Sequence, residues 1–163
     1  MASFTDLKSL LRHIEKDIKN GMREVGKEAK QITKKHVDDD VYDKYSPSVY
    51  DRTGQLKDSI ESFEITGTEG EHGVIIQHDT SKITSSKDPT YNHYSRKPNG
   101  HDPDVSDEYM EWVHDGRSGG AFGFGEWQKP RPYMDNARNE IKNTNVHVKT
   151  LKSSLTQKGY DVE

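Results

Sequence analysis

Cysteine is absent from the 163 residues, which excludes a disulfide framework, a thiolate zinc site and a thiol nucleophile. Aliphatic residues are scarce. Leu, Ile, Val and Phe together number 29 of 163, just under the roughly one-fifth below which a chain struggles to bury a core. Mean hydropathy is -1.09, and no apolar run approaches the ~20 residues that a membrane span requires. Charged residues near the start stand where a signal peptide would carry its apolar stretch, so the expectation is a soluble chain, cytosolic when made. Neither sign of charge dominates. The net charge of -4 argues against wrapping nucleic acid through phosphate neutralisation. It is also too small for self-repulsion to keep the chain unfolded, and eight Tyr and two Trp add surface that can be buried. The chain is therefore either a small-cored monomer or a subunit that completes its core and orders its loops against neighbours.

What is present starts with a helical pattern. Phe4, Leu7, Leu11, Ile14, Ile18, Val25, Ala29 and Ile32 recur mostly at three- and four-residue steps, the spacing that lines one helix face. Ser3 is placed to cap the first turn, with Asp6 at the third helical position. Residues 1–37 thus read as one helix of roughly 50 Å, either packed across a sheet or forming a coiled-coil seam. Gly21 and Gly26 each weaken it by about 1 kcal/mol relative to Ala, which makes a bend plausible there. Asp38-Asp39-Asp40 ends the pattern and reads as an exposed acidic loop.

Farther on, Phe63 and Ile65 alternate with Ser62 and Glu64 as in a half-buried strand, and Val74 to His78 forms the returning strand of a hairpin. Residues 81–104 hold Pro89, Pro98 and Pro103 and almost no aliphatic residue. A loop this long inside a compact domain is either functional or disordered. Tyr91, His93, Tyr94, Arg96 and Lys97 supply the aromatic and basic contacts found at interfaces. Ser106 with Asp107 and Glu108 marks a helix start. Arg117 to Gly125 is glycine-rich, with Phe122 and Phe124 interleaved. Residues 132–158 read as C-terminal helices, beginning near Pro132 and stopped by Gly159.

The catalytic readings are weak. His93, His101, Asp102 and Asp104 lie close together in the long loop, with His114-Asp115 on another element, but no pair has the His-x-x-x-His spacing of a helical metal site. A His-Asn-His nuclease built from Asn92, His93, Asn99 and His101 does not match a compact strand–strand–helix site. Gly119 to Gly125 lacks the preceding strand and the Lys-Ser/Thr of a phosphate loop. No catalytic, metal-ligating or cofactor-binding residue is assigned, and no cofactor is expected.

The specific signal lies in three short segments, in order. The first runs from Tyr50 to Ile60 and contains Arg52, Thr53, Gly54, Leu56, Ser59 and Ile60. The second, Tyr109 to Gly116, contains Trp112 and Val113, with His114 where an acidic residue is usual. The third, Lys129 to Ala137, contains Pro132, Tyr133 and Ala137. Physically, Gly54 permits a tight turn, Thr53 caps the short helix after it, and Leu56 and Ile60 bury its underside. Arg52 suits charge-assisted bonds to a carboxylate or a subunit edge. Together and ahead of a helical tail, the segments resemble the tail-completion or head–tail joining proteins of long-tailed bacteriophages.

That resemblance implies one α+β domain over residues 1–163, with a long N-terminal helix packed on a small antiparallel sheet and C-terminal helices, while the inserted loop at 81–104 lies outside the resemblance. It implies a structural protein of the virion rather than an enzyme. Such a protein forms a homo-oligomeric ring, of six subunits by the resemblance, at the phage neck or the head-proximal end of the tail. Its partners are neck or connector proteins and the tail tube protein, and DNA passes through the channel without sequence-specific binding. The host cytoplasm is its location during assembly. Arg52, Tyr91, Tyr94, Arg96, Phe122 and Phe124 are the expected interface residues. Two other classes stay open: a metal-dependent nuclease using the His-rich loop, and a monomeric protein-binding adaptor.

Overall fold

In the computed structural model, residues 6–44, 53–67, 70–83, 106–116 and 129–162 are described, with the backbone alone at 106–109 and 112. The elements in chain order are α1 (Leu7–Val37), a π-helical turn (Asp38–Tyr42), α2 (Gln55–Asp58), β1 (Ile60–Thr66) and β2 (His72–His78). A 3-10 turn (Thr80–Lys82), α3 (Ser106–Asp115), α4 (Tyr133–Thr144) and α5 (Val146–Thr156) complete them. The fold class is the expected one: a long N-terminal helix on a two-stranded antiparallel sheet, with helices at the C-terminal end. The chain divides into two compact units. The first comprises residues 1–32, 62–77 and 139–163, and the second residues 33–61 and 78–138.

Helix α1 starts at Leu7, and Asp6 caps it: its Oδ1 accepts the Ser9 backbone N–H at 2.7 Å. Asp6 is therefore the residue before the helix, not its third position. Asp17, Gly21, Val25, Ala29, Thr33 and Val37 are buried at a four-residue repeat, with Gly26 buried beside them. The expected apolar stripe begins too early, because Leu7 and Leu11 are 70% and 56% exposed.

In the first unit the two helical glycines are contact points. A Cβ on Gly21 would stand 2.7 Å from Leu151 Cδ1 of α5. One on Gly26 would stand 3.0 Å from Ser62 Oγ and 3.3 Å from Val74 Cγ1. The helix runs unbroken through both, since what glycine loses in helix propensity it recovers in close packing.

The hairpin inverts the sequence expectation. Ser62 and Val74 lie against Gly26, while Glu64 accepts from Arg23 at 2.5 Å and pairs with Lys19 at 3.8 Å. Alternation along a strand then turns Phe63, Ile65 and Ile75 away from α1, and they are 40%, 42% and 44% exposed. Small and charged residues face the helix because glycine admits a close backbone approach there and the helix supplies cations for the carboxylate.

Asp17, on the buried stripe, ties the chain end to α1. Lys158 Nζ donates to it at 2.8 Å and the Tyr160 hydroxyl at 2.9 Å, and His13 Nε2 lies 3.3 Å away. The Lys158 hydrogen bond is the main reason its carboxyl titrates below the ordinary range.

In the second unit the acidic triplet extends the helix as a π turn instead of a loop. Each carboxylate is engaged. Asp38 meets Lys57 at 2.5 Å, Asp39 meets Lys35 at 2.5 Å, and Asp40 lies 3.0 Å from His36 Nδ1 while accepting from Asn136 at 2.9 Å. Among the described residues of this unit, Val37, Val41, Leu56, Ile60, Tyr133 and Ala137 are the buried apolar ones.

Candidate functional site

The three sequence segments converge within the second unit, around the Tyr133 side chain. Gly54 opens the first of them with φ 75°, a left-handed conformation that favours glycine. Its carbonyl accepts from Asp58 N at 3.0 Å, starting the α2 turn. Thr53 Oγ1 is 3.4 Å from Gln55 N, too long to contribute much as a cap. The turn delivers Leu56, Ser59 and Ile60 to the interior, where they are 2%, 0% and 0% exposed.

The second segment meets the third through the backbone. Arg131 N–H donates to the carbonyls of His114 at 2.9 Å and Val113 at 3.2 Å. Pro132 then lends its carbonyl to Asn136 N at 2.9 Å, so α4 begins and Tyr133 is carried inward to 1% exposure.

A polar chain links the first and third segments through the end of β2. Ser59 Oγ lies 2.9 Å from Leu56 O and 2.7 Å from His78 Nδ1, and His78 Nε2 lies 2.7 Å from the Tyr133 hydroxyl. A carbonyl only accepts, so the single Ser59 proton goes to Leu56. His78 Nδ1 must then carry a hydrogen and donate to Ser59. Nε2 is left as the acceptor for Tyr133 O–H. Burial pushes the imidazole pKa down to about 4, which keeps the ring neutral near pH 7 and fixes this assignment.

His114 flanks the same tyrosine, its ring 5.7 Å from the Tyr133 ring in an edge-on contact, matched by His78 at 5.7 Å on an edge of its own. Its Nδ1 lies 2.6 Å from Asp115 Oδ1, and Nε2 lies 3.7 Å from Asp135. The histidine at the position where an acidic residue is usual thus brings an aromatic edge to the tyrosine while facing two carboxylates.

Chemically this is a packing arrangement. Ser59 has a histidine beside it, yet it is fully buried and its proton is committed to a carbonyl. A serine nucleophile needs an open face and a base free to take that proton. Among the described residues, no group of three or more His, Asp or Glu side chains is gathered that could hold a metal ion. No helix there is long and apolar enough to cross a membrane. A cleft of about 340 Å³ beside the network is lined by Asp40, Lys44, Lys129, Arg131, Pro132 and Asn136, among others, giving it a mainly cationic rim.

Of the residues singled out from sequence, Thr53, Gly54, Leu56, Ile60, Pro132 and Tyr133 come together here. Trp112 lies within α3, its side chain outside the described residues. Arg52, Tyr91, Tyr94, Arg96, Phe122 and Phe124 lie outside them, as do His93, His101, Asp102 and Asp104. Sequence reasoning missed the joint role of Ser59 and His78. The only signal was a histidine closing a strand that carries Val74, Ile75 and Ile76.

A family model named YomN matches residues 6–157, nearly the whole chain and every segment of the Tyr133 network. The chain belongs to the YomN family. That family is phage-derived, its namesake coming from a Bacillus prophage. No curated protein and no solved structure matches the chain at a significant level. In this YomN-family chain, the three segments singled out from the sequence are those joined by the buried tyrosine.

Proposed function

We propose that this YomN-family chain is a structural protein of the phage particle, forming a ring at the neck or the head-proximal end of the tail. There it joins the capsid connector to the tail tube or completes the tail. The observation that carries this reading is the convergence of the three segments on Tyr133. They build a buried scaffold whose polar groups satisfy one another, as expected of an architectural signature and not of a reaction centre. The phage-derived family supports the phage origin that this reading requires. The ring is a homo-oligomer, six subunits by resemblance, whose partners are the neck proteins on one side and the tail tube on the other. DNA crosses its channel without being read.

The test is made on particles. Induced lysates of a strain lacking the gene should accumulate filled heads and detached tails, and complementation should restore joined particles. Antibody labelling should place the protein at the head–tail junction. Absence of the protein from purified particles, with joining unaffected by its loss, would overturn the proposal.

A further inference from the structure

The net charge of -4 conceals an uneven division. Helix α1 alone carries nine Lys and Arg against four Asp and Glu. Along its middle the cations are answered: Glu64 of β1 takes Arg23 and Lys19, and Glu24 takes Lys27. Toward its start they are not. Lys8, Arg12 and Lys16 stand at successive four-residue steps, which places them in one row along the helix surface. All three are exposed. Among the described residues, none of the three side chains has an ion pair or a hydrogen-bonding partner.

The carboxylates nearest to them in sequence are committed elsewhere. Asp6 accepts the Ser9 N–H at the helix start. Glu15 lies 3.5 Å from His72 Nε2 at the start of β2, and Asp17 is buried with Lys158 and Tyr160. Like charges four residues apart on a helix repel one another. The row is therefore a surface that an outside anion of matching repeat relieves, and α1, packed through Gly21, Val25 and Gly26, holds it rigid.

We infer that Lys8, Arg12 and Lys16 bind the phosphate backbone of double-stranded DNA without reading its sequence. Four residues of helix advance about 6 Å. Every second phosphate of one DNA strand advances about 7 Å along the duplex axis, a step that long, flexible side chains match. The row holds no aromatic anchor of the kind that dominates protein interfaces. An anionic lipid surface fits less well, because an interfacial helix needs its apolar face free and the inner face of α1 is buried in the fold. Such a local contact differs from wrapping, which the overall negative charge opposes. That DNA lies within reach of the row rests on the proposed place at the neck; the binding itself does not.

The test titrates the full-length protein into a short fluorescent duplex of arbitrary sequence, followed by anisotropy as sodium chloride is raised. The logarithm of the association constant should fall with the logarithm of salt at a slope of about -3, for three phosphates. Each single change, Lys8→Gln, Arg12→Gln or Lys16→Gln, should flatten that slope by about 1, with the thermal midpoint unchanged. The triple variant should bind at least about tenfold more weakly at low salt. Lys142→Gln/Lys149→Gln/Lys152→Gln removes the same charge from the C-terminal helices and should keep both affinity and slope. Absence of salt-dependent binding by the wild type would overturn the inference, as would equal losses in the two triple variants. Tighter binding to poly-glutamate than to the duplex would assign the row to an acidic protein, and preference for phosphatidylglycerol vesicles would assign it to lipid; either result also overturns it. If DNA binds through the row while the protein is absent from particles, the contact stands and the neck reading fails. If the protein sits at the neck and ignores DNA, only the contact fails.

Discussion

The Tyr133 hydroxyl and His78 Nε2 lie 2.7 Å apart at the end of a chain that continues from His78 Nδ1 to Ser59 and on to the Leu56 carbonyl. Every proton in it has one available direction, so the loss of any member leaves a buried partner unsatisfied. Tyr133→Phe keeps the ring and its contacts with His78 and His114 but removes the donor to Nε2. Leaving that acceptor unpaired costs about 1–3 kcal/mol. For a chain of this size the midpoint of thermal unfolding should fall by roughly 3–10 °C. An unchanged midpoint would mean that water replaces the hydroxyl and that the network is open to solvent.

The same chain sets a pH dependence. The His78 pKa is about 4 in the folded protein against an ordinary 6.5, so between these values the unfolded state binds the extra proton. Stability is unaffected by His78 above pH 6.5, falls as the pH drops through the interval, and loses nothing more from this group below about 4. The integrated loss is at most about 3 kcal/mol. The downward-shifted carboxyls of Asp17, Asp39 and Glu64 start from 3.8, 3.8 and 4.5, so their stability is lost mainly as the pH falls below that range. Urea unfolding at pH 5 and pH 7 should show the difference. In His78→Phe it should shrink, whatever the change in absolute stability.

Much of this architecture was legible from sequence, for reasons visible in particular residues. The helix, the hairpin and the C-terminal helices announce themselves through periodicity and turn chemistry, which are local. The convergence at Tyr133 is not local. Ser59 and His78 are unremarkable in their own segments and acquire meaning only when the end of β2 is brought beside α2. Strand orientation failed for a related reason. Alternation shows that Phe63 and Ser62 face opposite ways, but which of them meets the helix is decided by Gly26 and Arg23, far away in the chain. Asp17 was readable in principle, since it occupies the buried four-residue repeat of α1, where an unpaired carboxylate would be costly.

Gly26→Leu tests the close approach of the helix and the hairpin. Even a methyl group there would crowd Ser62 and Val74, and a leucine forces the strands outward. Overpacking of this kind costs about 1–3 kcal/mol, more than the ~1 kcal/mol that leucine recovers in helix propensity. Chemical denaturation should show a lower midpoint for Gly26→Leu than for Lys27→Leu, whose site is exposed. Equal or greater stability would show that the hairpin is not seated on the glycine.

Removing the groups that satisfy Asp17 should loosen the C-terminal end. Lys158→Ala and Tyr160→Phe each delete one hydrogen bond to a carboxylate that is only 6% exposed. Both should lower the unfolding midpoint by a few degrees. Together they should do less than the sum if Asp17 becomes protonated and ceases to need a partner. Asp17→Asn then separates charge from hydrogen bonding. A double variant as stable as the wild type would show that the C-terminal residues do not anchor the helix.

The insertion is the place where function and folding can be separated. Its flanks are held in the second unit: Asp79 N–H donates to the Ser59 carbonyl at 2.7 Å, and α3 contacts the Thr80–Lys82 turn, in which the insertion begins. A short Gly-Ser linker in place of residues 84–104 has then to span only from that turn to α3, and a shorter loop costs less closure entropy. That stretch has almost no aliphatic residue to lend a core, but it carries Tyr91, Tyr94 and Arg96, the residue types that anchor interfaces. The shortened protein should unfold at an unchanged midpoint and yet fail to restore joined particles to a strain lacking the gene. Full complementation by it would show that these side chains do not take part in assembly, and the interface would have to be sought elsewhere, beginning with Arg52, Phe122 and Phe124.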